Sequence, residues 1–392
     1  MFEDRRAGAF RAGLAAAAVA LGVVAAASAP LALAQGPAAR GKAAGKAARG
    51  RPRGNPAPRK APDAADPLAA RVKDQGGARP AAGGTFHYRL RLRALLDETT
   101  LAASYYPGRA DTTTPAVLLV HEKDRSGKDF EDPIAETKGL GLAEHLQSVG
   151  YAVFAFDLRG YGANTRRPVA DRDWAGMVVD LQAAYLFLLD RHNRGELNVA
   201  RLGVVALGEG ANLAAAWAAE PGGAVSSEGR LSDIAGMALI SPMPEGSGHS
   251  FTTVMSAMAP RVPTLLMAGE RDNPSHDALR KVRAGVERVR LNKVELFPSS
   301  LHGYKMLRLE PKAATTVAKF LEGTVKLKAT EWEPRYNLNP VTYTDIQVVR
   351  HTKPGDKEKD APRAKEPARE KAEEKEKAEG EAKKDAKAAP EK

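Results

Sequence analysis

The stretch "GVVALGEGANLAAAWAA", residues 203–219, decides the fold. Gly203–Leu207 is a short, continuous apolar run with two valines, the signature of a strand buried on both faces. From Ala211 the composition turns to alanine, leucine and tryptophan, residues that favour a buried helix. Between them stand Gly208, Glu209 and Gly210, too few residues for anything but a tight turn. A buried strand passing directly into a helix is the repeating unit of a parallel sheet covered by helices.

Outward from this stretch the same alternation continues. Strands are expected at "AVLLVH" (116–121), "YAVFAFDLRG" (151–160), "RLGVVAL", "IAGMALIS", "PTLLMAGE" and "KVELFP". Helices are expected at "GLAEHLQSVG" (141–150), "WAGMVVDLQAAYLFLLDRH" (174–192), "NLAAAWAAE", "DALRKVRAGVERV" and "PKAATTVAKFLEG". The N-terminal "TFHYRLRLRA" and "TTLAASYYPG" instead alternate apolar and polar residues, as antiparallel strands do. The expected fold class is α/β, with a mostly parallel central sheet, helices on both faces and an antiparallel N-terminal edge. In such sheets the reactive groups gather beyond the carboxyl ends of the strands.

Four of those ends carry unusual polar residues. His121 and Glu122 follow the first parallel strand, and Gly208–Glu209–Gly210 follow the central one. Asp272 follows "TLLMAGER", and His302 follows "KVELFPSSL". Turn, acid and histidine therefore occur in the chain order of nucleophile, Asp and His in the α/β-hydrolase fold. On "LLVHEKD", "GYAVFAFDLRGYG", "GVVALGEGANLAAAWA", "PTLLMAGERDNP" and "LHGYKML", the chain resembles the α/β-hydrolase superfamily over roughly residues 90–325. Within it the chain looks most like the dienelactone hydrolase and esterase branch. The resemblance implies Asp272 as triad acid and His302 as general base. It also implies an oxyanion amide from the loop starting at His121, and Glu122 near the nucleophile.

The departure is at the turn. The superfamily pattern is small-x-nucleophile-x-Gly followed by a small residue, and Ala206–Gly210 with Ala211 puts Gly208 in the nucleophile position. Glycine suits the strained turn without steric cost, so the turn can survive the loss of the reactive atom. Shifting the register by one would put Glu209 there, mimicking the carboxylate nucleophile of epoxide hydrolases and dehalogenases. That shift places Leu207 and Asn212 where small residues belong. Plainer roles stand beside these: Asp272–His302 as a packing pair, Glu122 as a solvated loop residue, His121 as a strand-end residue tied to backbone. Ser241, Ser299 and Ser300 read as turn residues, and His145, His192 and His276 as surface histidines. No His/Asp/Glu cluster has metal-ligand spacing and no dinucleotide fingerprint is present, so no cofactor is expected.

The ends differ from this core. Arg5, Arg6 and Arg11 precede an alanine-rich apolar stretch ending Ala32-Leu33-Ala34, which reads as a signal peptide over 1–34. An uncleaved membrane anchor is the alternative. Export to the periplasm or beyond is the expected localisation, and the absence of cysteine does not oppose it. Residues 35–82 are rich in Ala, Pro, Gly, Lys and Arg, and read as a disordered basic linker. Over 35–80, eleven Lys and Arg stand against three Asp, a net +8 in a chain whose formal charge is +11. Without aromatic residues to stack on bases, this arm points to anionic envelope polymers or a membrane surface, not to specific nucleic acid. The α/β domain is expected over 84–326, and a C-terminal extension over 327–352. That extension, with Trp332, Tyr336 and Tyr343, would pack across the domain, add a strand to it, or bind a partner through one. Residues 353–392 carry thirteen basic and twelve acidic residues and read as a disordered, solvated tail.

Two functions fit these residues. One is an exported hydrolase of esters or lactones with an unconventional nucleophile, either activated water or Glu209. The other is a non-catalytic module of the same fold that binds a small ligand, glycan or protein in the old pocket. Gly208 favours the second.

Overall fold

A computed structural model describes residues 66–68, 86–93, 99–164, 171–219, 233–246, 248–335 and 341–351. The chain divides into Met1–Ala57 and Pro58–Lys392, and every described residue belongs to the second unit. The signal sequence read over 1–34, all of the 35–82 linker except Asp66–Leu68, and the tail 353–392 lie outside the described residues.

Nine strands form one sheet: β1 (Phe86–Arg93), β2 (Thr100–Tyr106), β3 (Pro115–Val120), β4 (Ala152–Phe156), β5 (Asn198–Leu207), β6 (Ile234–Ile240), β7 (Thr264–Gly269), β8 (Lys293–Phe297) and β9 (Thr342–Arg350). Their spatial order is β8-β7-β6-β5-β3-β4-β2-β1-β9. The six strands from β8 to β4 pair in parallel. β4 pairs antiparallel with β2, β2 with β1, and β1 with β9. The antiparallel edge is where alternation in "TFHYRLRLRA" places it, whereas β3, β4, β6 and β7 are buried along their whole length.

The apolar runs are continuous because both sheet faces are covered. Leu118 and Val204 point to one face, with α2 (Val178–Asn193), α3 (Gly208–Ala219), α4 (Phe251–Met258) and α5 (Asn273–Val286). Val117, Leu119 and Val205 point to the other, with α1 (Leu142–Ser148), α6 (Gly303–Leu309) and α7 (Ala313–Leu321). Period-two side-chain alternation therefore splits each strand between two cores. Helix α3 is buried nearly all round, and Trp217 in its last turn is fully enclosed with its indole N–H on Gln182 at 3.1 Å.

Two readings of the sequence need correction here. His192 is no surface residue: it is fully buried, its Nε2 is 2.7 Å from the Glu333 carbonyl, and Trp332 lies against its ring. Trp332 and Glu333 belong to the C-terminal extension, whose cover over α2 could not be counted from the helix alone. Asp66–Leu68 also departs from the linker reading. Leu68 is in the core, and Asp66 Oδ1 lies 2.9 Å from Nη1 of the buried Arg191. The extension itself contributes β9, which extends the sheet beyond β1.

Candidate active site

The site is assembled by the ends of β3, β5, β7 and β8. β5 stops at Leu207 and α3 starts at Gly208, whose φ is +53°. This is the left-handed region that side chains with a Cβ enter at a cost and glycine enters freely. A Cβ placed on Gly208 would sit 2.7 Å from Glu122 Cβ, 3.0 Å from Glu122 Oε2 and 3.5 Å from His302 Nε2. A side chain at 208 would thus project toward His302. At Gly210 a Cβ would come within 2.1 Å of the His121 carbonyl oxygen. That contact draws α3 against the end of β3 in the register that puts Gly208 at the turn. Glu209 follows it on the first turn of α3, partly exposed.

Asp272, after β7, and His302, after β8, come together across 30 residues of sequence. Asp272 Oδ2 lies 2.8 Å from His302 Nδ1. The Asp272 side chain is 6% exposed and that of His302 35%, so the acid is sheltered while the imidazole reaches the surface of the site. With Nδ1 on Asp272, Nε2 is the nitrogen left facing the Gly208 turn. The Asp272 hydrogen bond, with the negative charges of Asp272, Glu122 and Glu209, raises the His302 pKa above its ordinary value against the opposing effect of burial. Ser275 Oγ also lies 3.3 Å from His302 Nδ1. The sequence reading passed over Ser275; its sole signal is a spacing of three from Asp272 at a helix start. It sits on the Asp272 side of the ring, away from Gly208.

Glu122 occupies the space that a reactive side chain would fill. Its Oε2 accepts the Tyr304 backbone N–H at 3.2 Å. Gly303, φ +46°, makes this approach possible, because a Cβ there would fall 1.5 Å from the same oxygen. Two absent Cβ atoms, at 208 and 303, therefore frame one carboxylate. Burial raises the Glu122 pKa, although His302, the Tyr304 N–H and Arg125 each act to lower it. Arg125 Nε stands 3.9 Å from Glu122 Oε1, and the same guanidinium binds both oxygens of Asp129 and lies 3.7 Å from the Tyr304 ring centre. The Tyr304 hydroxyl donates to Asp132. These contacts strap the 122–132 loop to the start of α6, so Glu122 is held in place and is no free loop residue.

His121 is brought to the same strand ends but turns away. It is fully buried, with Nδ1 2.7 Å from the Glu122 carbonyl and Nε2 accepting the Leu158 N–H at 2.9 Å. Burial lowers its pKa and both nitrogens are engaged. Its side chain pins the ends of β3 and β4 together and leaves no nitrogen for the site. Of the remaining serines, Ser241 is buried with its Oγ 3.5 Å from Met306 Sδ. Ser299 Oγ is buried without a partner among the described residues, and Ser300 is exposed.

The family described as serine aminopeptidase, S33, matches residues 138–292. No curated protein matches the sequence. Among solved structures, the chain is similar to a dienelactone hydrolase from Anabaena variabilis, at 20% identity and a TM-score of 0.43, over 62% of this chain and 97% of that one. It is similar to the esterase Pf2001 of Pyrococcus furiosus at 16% identity and a TM-score of 0.45, over 65% and 96% of the two chains. Esterase 2 of Thermogutta terrifontis, phosphorylated by paraoxon, is matched at 15% identity and a TM-score of 0.43, over 63% and 93%. The strand order, the strand-to-helix turn at Gly208 and the family match over residues 138–292 together give this chain an α/β-hydrolase fold.

Proposed function

We propose that this is an exported α/β-hydrolase-fold protein that holds a small ester-like or acyl ligand above Gly208 without forming a covalent acyl-enzyme. One observation carries the reading: the point from which a nucleophile would face His302 Nε2 bears no side chain, and the Glu122 carboxylate fills it. A triad base acts by removing a proton from a hydroxyl or thiol, and His302 has neither before it. Removing the serine of a working triad costs roughly a millionfold in turnover, and an oxyanion hole alone restores little of that.

A second reading is favoured by Glu122 itself. A raised carboxyl and a raised imidazole flanking one small space are suited to general base and general acid. In that chemistry Glu122 takes a proton from water, the hydroxide adds to the ester carbonyl, and imidazolium His302 protonates the departing alkoxide. No covalent intermediate forms on the protein.

Short acyl esters such as p-nitrophenyl acetate separate the two. The binding reading expects wild type at the rate of free imidazole, and a gain of at least about a hundredfold in Gly208→Ser combined with Glu122→Gly, which removes the Glu122 Cβ that a side chain at 208 would meet at 2.7 Å. Gly208→Ser alone is expected to gain less, because its side chain must displace that of Glu122. Wild-type turnover lost in both Glu122→Gln and His302→Ala would overturn the binding reading and establish water attack. Export is tested apart from this: N-terminal sequencing of protein recovered from the cell envelope is expected to begin at Gln35.

A further inference from the structure

We propose a second ligand site, on the antiparallel side of the sheet, that takes a small molecule by a carboxylate or phosphate group. A cavity of about 230 Å³ lies between β1, β2, β9 and the 3-10 helix Gly127–Glu131, and Arg89, Arg91, Lys128, Ser104, Ala102 and Gln347 line it.

The sequence of β1 creates the site. In "FHYRLRLR" the even positions Phe86, Tyr88, Leu90 and Leu92 are core residues, so period-two alternation puts Arg89, Arg91 and Arg93 on the opposite face. Like charges stacked along one face oppose folding unless something negative meets them. The cross-strand neighbours supply nothing negative: Ser104 and Ala102 stand opposite Arg89 and Arg91 on β2, and Gln347 and Thr344 on β9. Their small side chains leave the cavity, which the irregular register between Arg89 and Arg91, with Asp345 at φ +53°, opens further.

One nearby carboxylate pairs with Arg89 itself and another is held by backbone N–H groups. Glu131 Oε2 receives Arg89 Nη2 at 3.0 Å, and its Oε1 receives the Tyr106 hydroxyl at 3.2 Å. Asp157, also on the cavity wall, accepts the Gly127 and Ala163 backbone N–H groups, each at 2.7 Å. Arg89 Nε is buried and finds no partner among the described residues, although a buried guanidinium N–H is expected to have one. The guanidinium of Arg91 and the ammonium of Lys128 add two charges. Of the two carboxylates that line the cavity, Asp157 is held by those backbone N–H groups and Asp345 is exposed at the bulge. A planar guanidinium beside an ammonium is a recognised arrangement for a carboxylate or phosphate oxygen pair. The site stands on different residues from Gly208, Glu122, Asp272 and His302, so it holds whichever chemistry those perform.

Calorimetric titration of the full chain with inorganic phosphate, with succinate, and with neutral succinamide tests the proposal. Saturable binding of at least one anion, with succinamide silent, is expected. Arg91→Gln or Lys128→Gln is expected to weaken it about tenfold or more. Arg93→Gln removes the same charge two residues along the strand and is expected to leave the affinity unchanged. The tighter of the two anions identifies the group recognised. Binding that survives both substitutions belongs to the basic N-terminal arm and overturns the proposal, as does the absence of saturation with either anion. Lys128 is exposed on a 3-10 helix, so its variant keeps the test valid if Arg91→Gln fails to fold.

Discussion

At the turn after β5, the geometry of the site is set by a few atoms. Gly208 holds the left-handed backbone, Gly303 has no Cβ to obstruct the approach, and the Glu122 carboxylate lies in the gap. His302 is left between Asp272 on Nδ1 and a second carboxylate near Nε2. Its pKa is raised above the ordinary 6.5 of an unfolded chain, chiefly by the Asp272 hydrogen bond. The sign of the linkage follows. This pair's contribution to stability is complete below pH 6.5 and is lost as pH rises through the folded value. Asp272→Asn is expected to bring the His302 titration, read from its ring-proton NMR shifts, down to or below 6.5. An unchanged midpoint in that variant would show that Asp272 does not hold the imidazolium.

Among the elements, one side chain ties three segments together at the outer edge of the sheet. Arg191, in the last turn of α2, is fully buried. It reaches Asp66 at 2.9 Å, the Tyr343 hydroxyl of β9 at 2.5 Å, Glu196 at 3.7 Å, and Asp190. A single guanidinium thus joins the segment before β1 to the strand beyond it. Removing one partner of a buried ion cluster leaves the others uncompensated, at a cost of about 3–5 kcal/mol. Arg191→Leu is therefore expected to lower the melting temperature by roughly 10 °C. It should also speed amide exchange in 342–350 before the β5–β6–β7 strands are affected. Uniform exchange across the sheet would show that Arg191 supports the whole domain and not this edge. Another element, α4, was legible but passed over: Phe251, Val254, Met255 and Met258 are spaced i, i+3, i+4, i+7 and are its buried face.

For the molecule as a whole, two histidines pull the pH dependence of stability in opposite directions. His87 on β1 is buried, stacked on Tyr106, with its Nδ1 3.0 Å from His351 Nε2 just beyond β9. Burial first, then His351 and Arg89, lower its pKa to about 3, while Glu131 lies 3.9 Å from its Nε2. The unfolded chain therefore takes up a proton near pH 6.5 that the folded chain refuses until about pH 3. The stability tied to a neutral His87 is whole above pH 6.5 and falls away as pH drops toward 3. Urea midpoints at pH 7.5 and 5 are expected to differ less in His87→Gln than in wild type. An equal acid-induced loss in both would place the sensitivity elsewhere. Among the described residues no helix is long and apolar enough to cross a membrane.

The sequence by itself determined the layered α/β fold and its parallel centre, because a strand covered on both faces must be apolar at every position, and that pattern is local. It also determined that position 208 has no side chain, since a missing atom is missing in any conformation. The tertiary structure alone decided what lies beside Gly208. Glu122 is separated from Gly303 by most of the domain, and no spacing rule links a loop carboxylate to the Cβ it replaces. The burial of His192 and Arg191 was hidden for the same reason: their covers, Trp332, Tyr343 and Asp66, come from distant segments whose docking depends on the finished sheet edge.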